Sequence, residues 1–213
     1  MSKKSNVFPI SVKKIKNKIK LIVKIYDQIL KFNIKNLNIY NVLASLAVLK
    51  EINLDLNQVI NSFMKHEPTE GRGKIYKIKR YNKRFKLIDE SYNANPLSVK
   101  IAINNFNFIK KQKFKKYLLL GDMLELGDKS ETLHKNLSKV INNSDIDKVF
   151  IKGSKALVTY ININKKKRGN IFQLEDDVDI ILNDIIANND YLMIKGSNAT
   201  GLNRLAKKMI KGY

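Results

Sequence analysis

The sequence has no cysteine and no tryptophan, and only three prolines, nine glycines and two histidines in 213 residues. Without cysteine there is no disulfide, no thiolate metal site and no cysteine nucleophile. His66 and His134 have no partner at metal-ligand spacing, so no zinc site is expected. No "GxSxG" elbow supports a serine nucleophile. Nor does any apolar run approach the roughly 18 residues that a membrane span needs. The basic start "MSKKSN" leads into "VFPISVKK", not into the apolar core of a signal peptide, so a cytoplasmic location is expected. Acidic residues are scarce as well: 19 against 41 lysines and arginines, a net charge of +22. That balance suits nucleic acid, an anionic membrane surface or small anionic substrates. The lysines are scattered among Asn and Ile, however, and the clusters "VKKIKNKIK", "KKQKFKK" and "NKKKRGN" are short enough to be solvated loops or faces. Stacking aromatics are not interleaved with them, and nucleic acid is not an expected partner.

What is present suggests two parts. From Ile10 to Ile34 charge alternates with Ile, Leu, Val and Phe around "YDQ", which predicts a two-stranded hairpin. Asn38 can cap a helix carrying Val42, Leu43, Leu46, Ala47 and Leu49, and Asn53 ends it. A second helix is predicted from Asp55 to about His66. "EPTEGRG" then gathers Pro and Gly, and marks a boundary between domains at 1–70 and 71–213.

Beyond it the texture changes to short apolar runs: "KIYKIKR", "FKLID", "KYLLLGD", "KVFIKGS", "NIFQL" and "YLMIKGS". Nearly continuous runs ending at Gly or Asp read as strands buried on both faces. Helices are predicted between them. Asn95 caps and Pro96 opens the first; Ser130 caps "ETLHKNLSKVI"; Asp176 or Asp177 begins "VDIILNDIIA"; and "GLNRLAKKMI" closes the chain. The alternation predicts an α/β fold with a mostly parallel, doubly wound, Rossmann-like sheet.

In such sheets ligands bind beyond the carboxyl ends of the strands, where helix N-termini and free amides converge. Three polar loops fall there: "DESYNANP", "GDMLELG" and "KGSNATG". Asp89 suits an acceptor for ribose hydroxyls, and Asn93 or Asn95 offers the paired donor and acceptor that a base edge requires. Asn95 could equally be only a helix cap, and Gly121 with Asp122 only a turn and a cap. Lys195, Gly196 and Ser197 could form an anion pocket, although a lysine after a strand is more often solvated. The near-copy Lys152, Gly153 and Ser154 shows how cheaply that tripeptide arises. A phosphate-cradling "GxxxxGK[ST]" loop does not occur; the single Gly-Lys pair lies in "GRGKIY".

Taken in order, "NIYNVLASLAVL", "GRG", "LIDESYNANPLSV", "LLLGDMLELG" with "LH" following, and "MIKGS" resemble the Mur ligase family, in its UDP-N-acetylmuramoyl-tripeptide:D-alanyl-D-alanine ligase (MurF) branch. The resemblance runs from about Lys13 onward and covers the C-terminal portion of that three-domain type. It implies that residues 1–70 correspond to the end of a central ATPase domain and 71–213 to the C-terminal domain. It also implies ATP as substrate, an acyl phosphate intermediate, and attack by the amine of D-alanyl-D-alanine to form an amide. Carried over by motif, Asn38 and Asn41 fall on the adenine side of ATP, Arg72 near the phosphates, Asp89 on the ribose, and Asn93 and Asn95 beside the nucleotide. Asp122, Glu125, Lys195, Gly196 and Ser197 fall on the dipeptide side. Mg2+ is implied for the complete enzyme, but its ligands, the P-loop and the modified lysine have no counterpart in this sequence. Leu37 stands where the family usually has His, and Asn198 where relatives commonly have Arg. The implied partners are the UDP-sugar tripeptide, the dipeptide and the N-terminal and central domains, and the chain alone is expected to be inactive. Two rivals are a stand-alone basic module binding nucleotide or nucleic acid without catalysis, and an interaction domain whose ligand loops are relics.

Overall fold

Lys116–Gly121 and Tyr191–Lys195 are buried along their whole length, which fits them only for the middle of a sheet covered on both faces. In the computed structural model they sit there. The structure describes residues 5–15, 18–35, 37–110, 112–173 and 175–212, and the chain divides into two units, Met1–Pro68 and Thr69–Tyr213, close to the predicted boundary.

In the first unit the predicted two-stranded hairpin is a three-stranded antiparallel sheet, β1 (Val7–Ile15), β2 (Lys18–Ile25) and β3 (Gln28–Ile34). The lysine-rich start of the alternating segment pairs as a strand of its own, with a bulge between Pro9 and Ser11. Leu21, Val23, Ile25, Leu30, Phe32 and Ile34 form one buried face, and Val42, Leu43 and Leu46 of helix α1 (Ile39–Glu51) share their cluster. Asn38 caps α1 as expected, accepting from the amide of Tyr40 at 2.8 Å. The single helix predicted over 55–66 is instead two short ones, α2 (Leu56–Val59) and α3 (Ser62–Lys65).

The second unit holds a six-stranded sheet. Its strands are β4 (Lys74–Arg80), β5 (Lys83–Glu90), β6 (Lys116–Gly121), β7 (Lys148–Lys152), β8 (Arg168–Phe172) and β9 (Tyr191–Lys195), in the order β4-β5-β9-β6-β7-β8. All neighbours are parallel except β4, which joins β5 antiparallel through a turn at Tyr81 and Asn82, both with positive φ. Helix α4 (Pro96–Asn107), α5 (Ser130–Asn142) and the unpredicted α6 (Ala156–Asn162) pack one face with Leu118, Leu120, Val149, Ile151 and Met193. Helix α7 (Glu175–Ile185) and α8 (Leu202–Lys211) cover the other with Leu119, Phe150, Leu192 and Ile194. The side chains of Asp176 and Asp177, between which the sequence left the start of α7 open, lie outside the described residues.

Ser130 does not cap α5. A 3-10 turn at Gly127–Lys129 runs straight into the helix, so Ser130 is already helical (φ −53°, ψ −50°) and its carbonyl serves another purpose, given below.

Candidate functional site

Register brings the loops together. Glu90 pairs with Lys195 across β5 and β9, and Lys195 with Leu120 across β9 and β6, so the loops leaving these three strands start side by side. Strand order, not direction, switches here: β9, the last strand in sequence, lies between β5 and β6 and parallel to both, which is the arrangement that opens a crevice in a doubly wound sheet. The loops after β6 and β9 approach as closely as glycine allows. A Cβ added to Gly196 would lie 3.1 Å from the Cα of Gly121 and 2.9 Å from Leu202.

Asp89, at the end of β5, turns inward. It is 2% exposed, and its carboxylate accepts from the Gly71 amide (2.9 Å), the Ser91 amide (3.1 Å) and the Ser91 hydroxyl (2.5 Å). Three donors of the protein thus meet this buried carboxylate, and among what it fixes is the "GRG" turn. Gly73 donates to the Asp89 carbonyl (2.7 Å) and Tyr92 to the Gly71 carbonyl (3.1 Å), which closes the turn onto the strand. Gly71 is required for this fit, because its φ is +72° and a Cβ there would meet the Cβ of Tyr92 at 2.7 Å. The anchored turn presents Arg72, which is exposed, with its guanidinium 4.3 Å from the ring centre of Tyr92. Tyr92 is itself 52% exposed.

Lys195 is the second inward-facing charge. The sequence left it as a solvated lysine or part of an anion pocket, yet it is 2% exposed and its ammonium donates to the carbonyls of Asn93 (2.5 Å) and Glu90 (3.3 Å). The Glu90 carboxylate stands 3.8 Å away. Burial pushes the lysine below its ordinary pKa, partly offset by Glu90, and burial likewise pushes Glu90 up against the pull of Lys195. Lys195 thus holds the backbone from which Asn93 and Asn95 project. Both asparagines are exposed. Asn93 accepts from the Ala94 amide (2.8 Å), and Asn95 makes a capping box with Ser98 at the start of α4. The oxygen of Asn95 is a cap, as one reading of the sequence had it; its amide nitrogen is not used in that box.

The loop after β6 is fastened residue by residue. Asp122 accepts from the Ala156 amide at the start of α6 (2.7 Å), so its carboxylate secures the 153–156 turn. Met123 donates to Nε2 of His134 (3.1 Å). That nitrogen must be bare, so the ring proton lies on Nδ1 and is donated to the Ser130 carbonyl (2.8 Å). Leu124 donates to the Ser197 hydroxyl (3.0 Å). Glu125 follows with φ +60° and an exposed side chain.

A cleft of about 390 Å³ opens beside this loop, lined by Asp122, Lys152, Gly153, Ser154, Leu157, Phe172 and Thr200 among others. Lys152, Gly153 and Ser154 were set aside in the sequence as a chance tripeptide. The conformation of Gly153 shows otherwise: its φ is +119° and a Cβ would strike the Asp122 carboxylate at 2.3 Å, so only glycine lets the chain turn there. Tyr92, Glu90 and His134 were likewise not singled out as site residues by the sequence motifs; the structure places all three on the fastened loops or their supports.

The second unit thus unites Arg72, Asp89, Asn93, Asn95, Asp122, Glu125, Lys195, Gly196 and Ser197 around one sheet edge. Asn38 and Asn41 belong to the first unit, where both are exposed and Asn38 serves as the cap of α1.

Known proteins share parts of this sequence and fold. The family model described as "Mur ligase, glutamate ligase domain" matches residues 72–198. A UDP-N-acetylmuramoyl-tripeptide--D-alanyl-D-alanine ligase of Buchnera aphidicola subsp. Baizongia pistaciae is 30% identical over 178 residues, 83% of this chain and 37% of that protein. The Bacillus subtilis ligase of the same name is 31% identical over 128 residues, 59% of this chain and 28% of that protein. This chain therefore spans about a third of the length of these relatives. Among solved structures, MurF of Thermotoga maritima in complex with ADP matches with a TM-score of 0.72 at 18% identity, over 98% of this chain and 47% of that one. A MurF structure from Acinetobacter baumannii gives 0.75 at 18% identity over 99% and 46%. With a family model covering more than half of its residues, and the loops beyond β5, β6 and β9 lying within the match, the chain belongs to the Mur ligase family.

Proposed function

We propose that this chain supplies the nucleotide-side and dipeptide-side loops of an ATP-dependent ligase that joins D-alanyl-D-alanine to UDP-N-acetylmuramoyl-tripeptide in peptidoglycan synthesis. The observation that carries the reading is the pairing of a fastened "GRG" turn with the exposed Asn93 and Asn95 at the end of β5. An anchored turn presents the Arg72 guanidinium at fixed height, ready for a charge-assisted contact with phosphate. Asn93 and Asn95 follow on the same segment with side-chain amide groups for a base edge or ribose. The ribose contact expected of Asp89 passes to these exposed neighbours.

In the complete reaction the peptide carboxylate attacks the γ-phosphorus of ATP and ADP leaves. The amine of the dipeptide then attacks the resulting acyl phosphate, and inorganic phosphate leaves as the amide forms. Nothing in this sequence matches the P-loop that would stabilise the first step, so the chain works with polypeptide that carries it. Among the described residues no group of three His, Asp or Glu side chains could hold a metal, and no step here is assigned to Mg2+. For the second step, the cleft beside Asp122 offers the chemistry of a small dipeptide: a cation and turn amides at Lys152–Ser154, an acid, and apolar walls at Leu157 and Phe172. A cytoplasmic setting follows from the soluble substrates; among the described residues no helix is long and apolar enough to cross a membrane.

The test is ADP affinity. Arg72→Ala should weaken ADP binding about 10- to 100-fold, about 1–3 kcal/mol for a charge-assisted contact. The unfolding midpoint should barely move, because the side chain is exposed. Unchanged affinity measured by calorimetry would remove Arg72 from the nucleotide site. The rival of a nucleic-acid module has the charge of +22 in its favour. It requires duplex binding that weakens by orders of magnitude as salt rises, and no binding at low salt would discard it.

A further inference from the structure

The Ser197 hydroxyl touches both ligand loops. It accepts the Leu124 amide (3.0 Å) and donates to the Ala94 carbonyl (3.3 Å), while the Ser197 amide donates to the Asp122 carbonyl (3.0 Å). The residue is 5% exposed. A hydroxyl has one proton to give, and here it goes to the 91–95 loop, while a lone pair on the same oxygen receives the 121–125 loop. The neighbouring amide of Met123 is fixed independently by His134, so the register of the second loop is set from two sides.

We propose that Ser197 is a positioning residue whose hydroxyl makes the 91–95 and 121–125 loops move as one, so that an event on the first loop is felt on the second. Its partner chemistry is internal: the serine takes no ligand itself. This changes the part given to the "KGS" segment by its sequence, from an anion pocket to a clasp. Lys195 grips the first loop at Asn93 and Glu90, and Ser197 ties that loop to the next. A competing route exists through packing, since Ala94 and Met123 share one apolar cluster. The two routes differ in what a hydroxyl deletion does.

Amide hydrogen exchange on the whole chain separates them. Asn95→Ala removes the cap of α4 and loosens the first loop. With Ser197 in place it should speed exchange at 122–124 by about threefold or more, the size of coupling expected between groups in one hydrogen-bond network. In a Ser197→Ala background the same change at Asn95 should add nothing at 122–124, even though that background exchanges faster overall. Undiminished transmission in the absence of the hydroxyl would overturn the proposal in favour of packing; no transmission with Ser197 present would overturn it outright. Should Ser197→Ala fail to fold, Ser197→Cys carries the same comparison, because a thiol keeps the shape with a weak donor and acceptor. A second arm rests on the nucleotide reading above: ADP should slow exchange at 92–95 in both chains, and at 122–124 only where Ser197 is present. ADP that slows neither segment would count against the nucleotide site, while the Asn95 arm still decides the coupling.

Discussion

Asp89→Ala should lower the unfolding free energy of the chain's second unit by about 3–4 kcal/mol, a loss read from the shift of its urea midpoint. The magnitude follows from what the carboxylate does. Buried and accepting from Gly71, Ser91 and the Ser91 hydroxyl, it satisfies two backbone amides that would otherwise be left without acceptors. Hydrogen bonds to an ionised acceptor are each worth about 1.5–3 kcal/mol, and they do not add fully because the three share one side chain. A residue that only touched ribose would behave differently: its removal would spare the fold and cost nucleotide affinity alone. A midpoint within about 0.5 kcal/mol of the parent would restore Asp89 to the ligand and contradict the geometry. Nucleotide binding should also weaken in this variant, but indirectly, as the turn bearing Arg72 is released.

Lys195→Met is expected to cost about 3 kcal/mol near neutral pH, with a dependence on pH that identifies the cause. Methionine keeps the apolar stem and deletes the ammonium, leaving the Asn93 and Glu90 carbonyls short of a donor and the Glu90 carboxylate without its cation. Breaking a buried pair costs about 3–5 kcal/mol; the lower end applies because the Glu90 side chain keeps 22% of its exposure. Glu90 already has a raised pKa, and loss of Lys195 raises it further. A carboxyl whose folded pKa is raised contributes stability that is whole below its ordinary value of 4.5 and is lost as pH rises through the folded value. The gap between parent and variant should therefore widen from pH 4.5 to pH 8. A gap independent of pH would assign the loss to packing and carbonyls, not to the pair.

Much of the frame was legible because it rests on local patterns. The fully apolar "KYLLLG" and "YLMIK" predict central strands, Asn95 with Pro96 predicts the start of α4, and Asn38 that of α1. The misses have physical reasons. A lysine-rich strand such as β1 looks like solvated chain until it has a partner to pair with. Helix α6 has only seven residues, too few for helical periodicity to show. Ser130 resembles a cap, but the preceding 3-10 turn absorbs the helix start. In the site, the sequence marked three loops that the sheet order brings side by side, and it does not show which way their charges face. Asp89 and Lys195 are charged residues at the ends of their strands, and sequence alone gives no measure of their burial. Gly71 lies 18 residues from Asp89 and Asn93 102 residues from Lys195, so only the folded chain brings these partners together. Gly153 was the available clue: glycine directly after a buried strand often signals a backbone conformation that other residues resist.

Titration of the isotope-labelled chain with ADP, followed by backbone amide shifts, tests the central claim most directly. The account predicts saturable shifts at Arg72 and Tyr92–Asn95, with smaller ones at 122–124 relayed through Ser197. Shifts confined to the cleft around Lys152–Ser154, or no saturation at millimolar ADP, would contradict it.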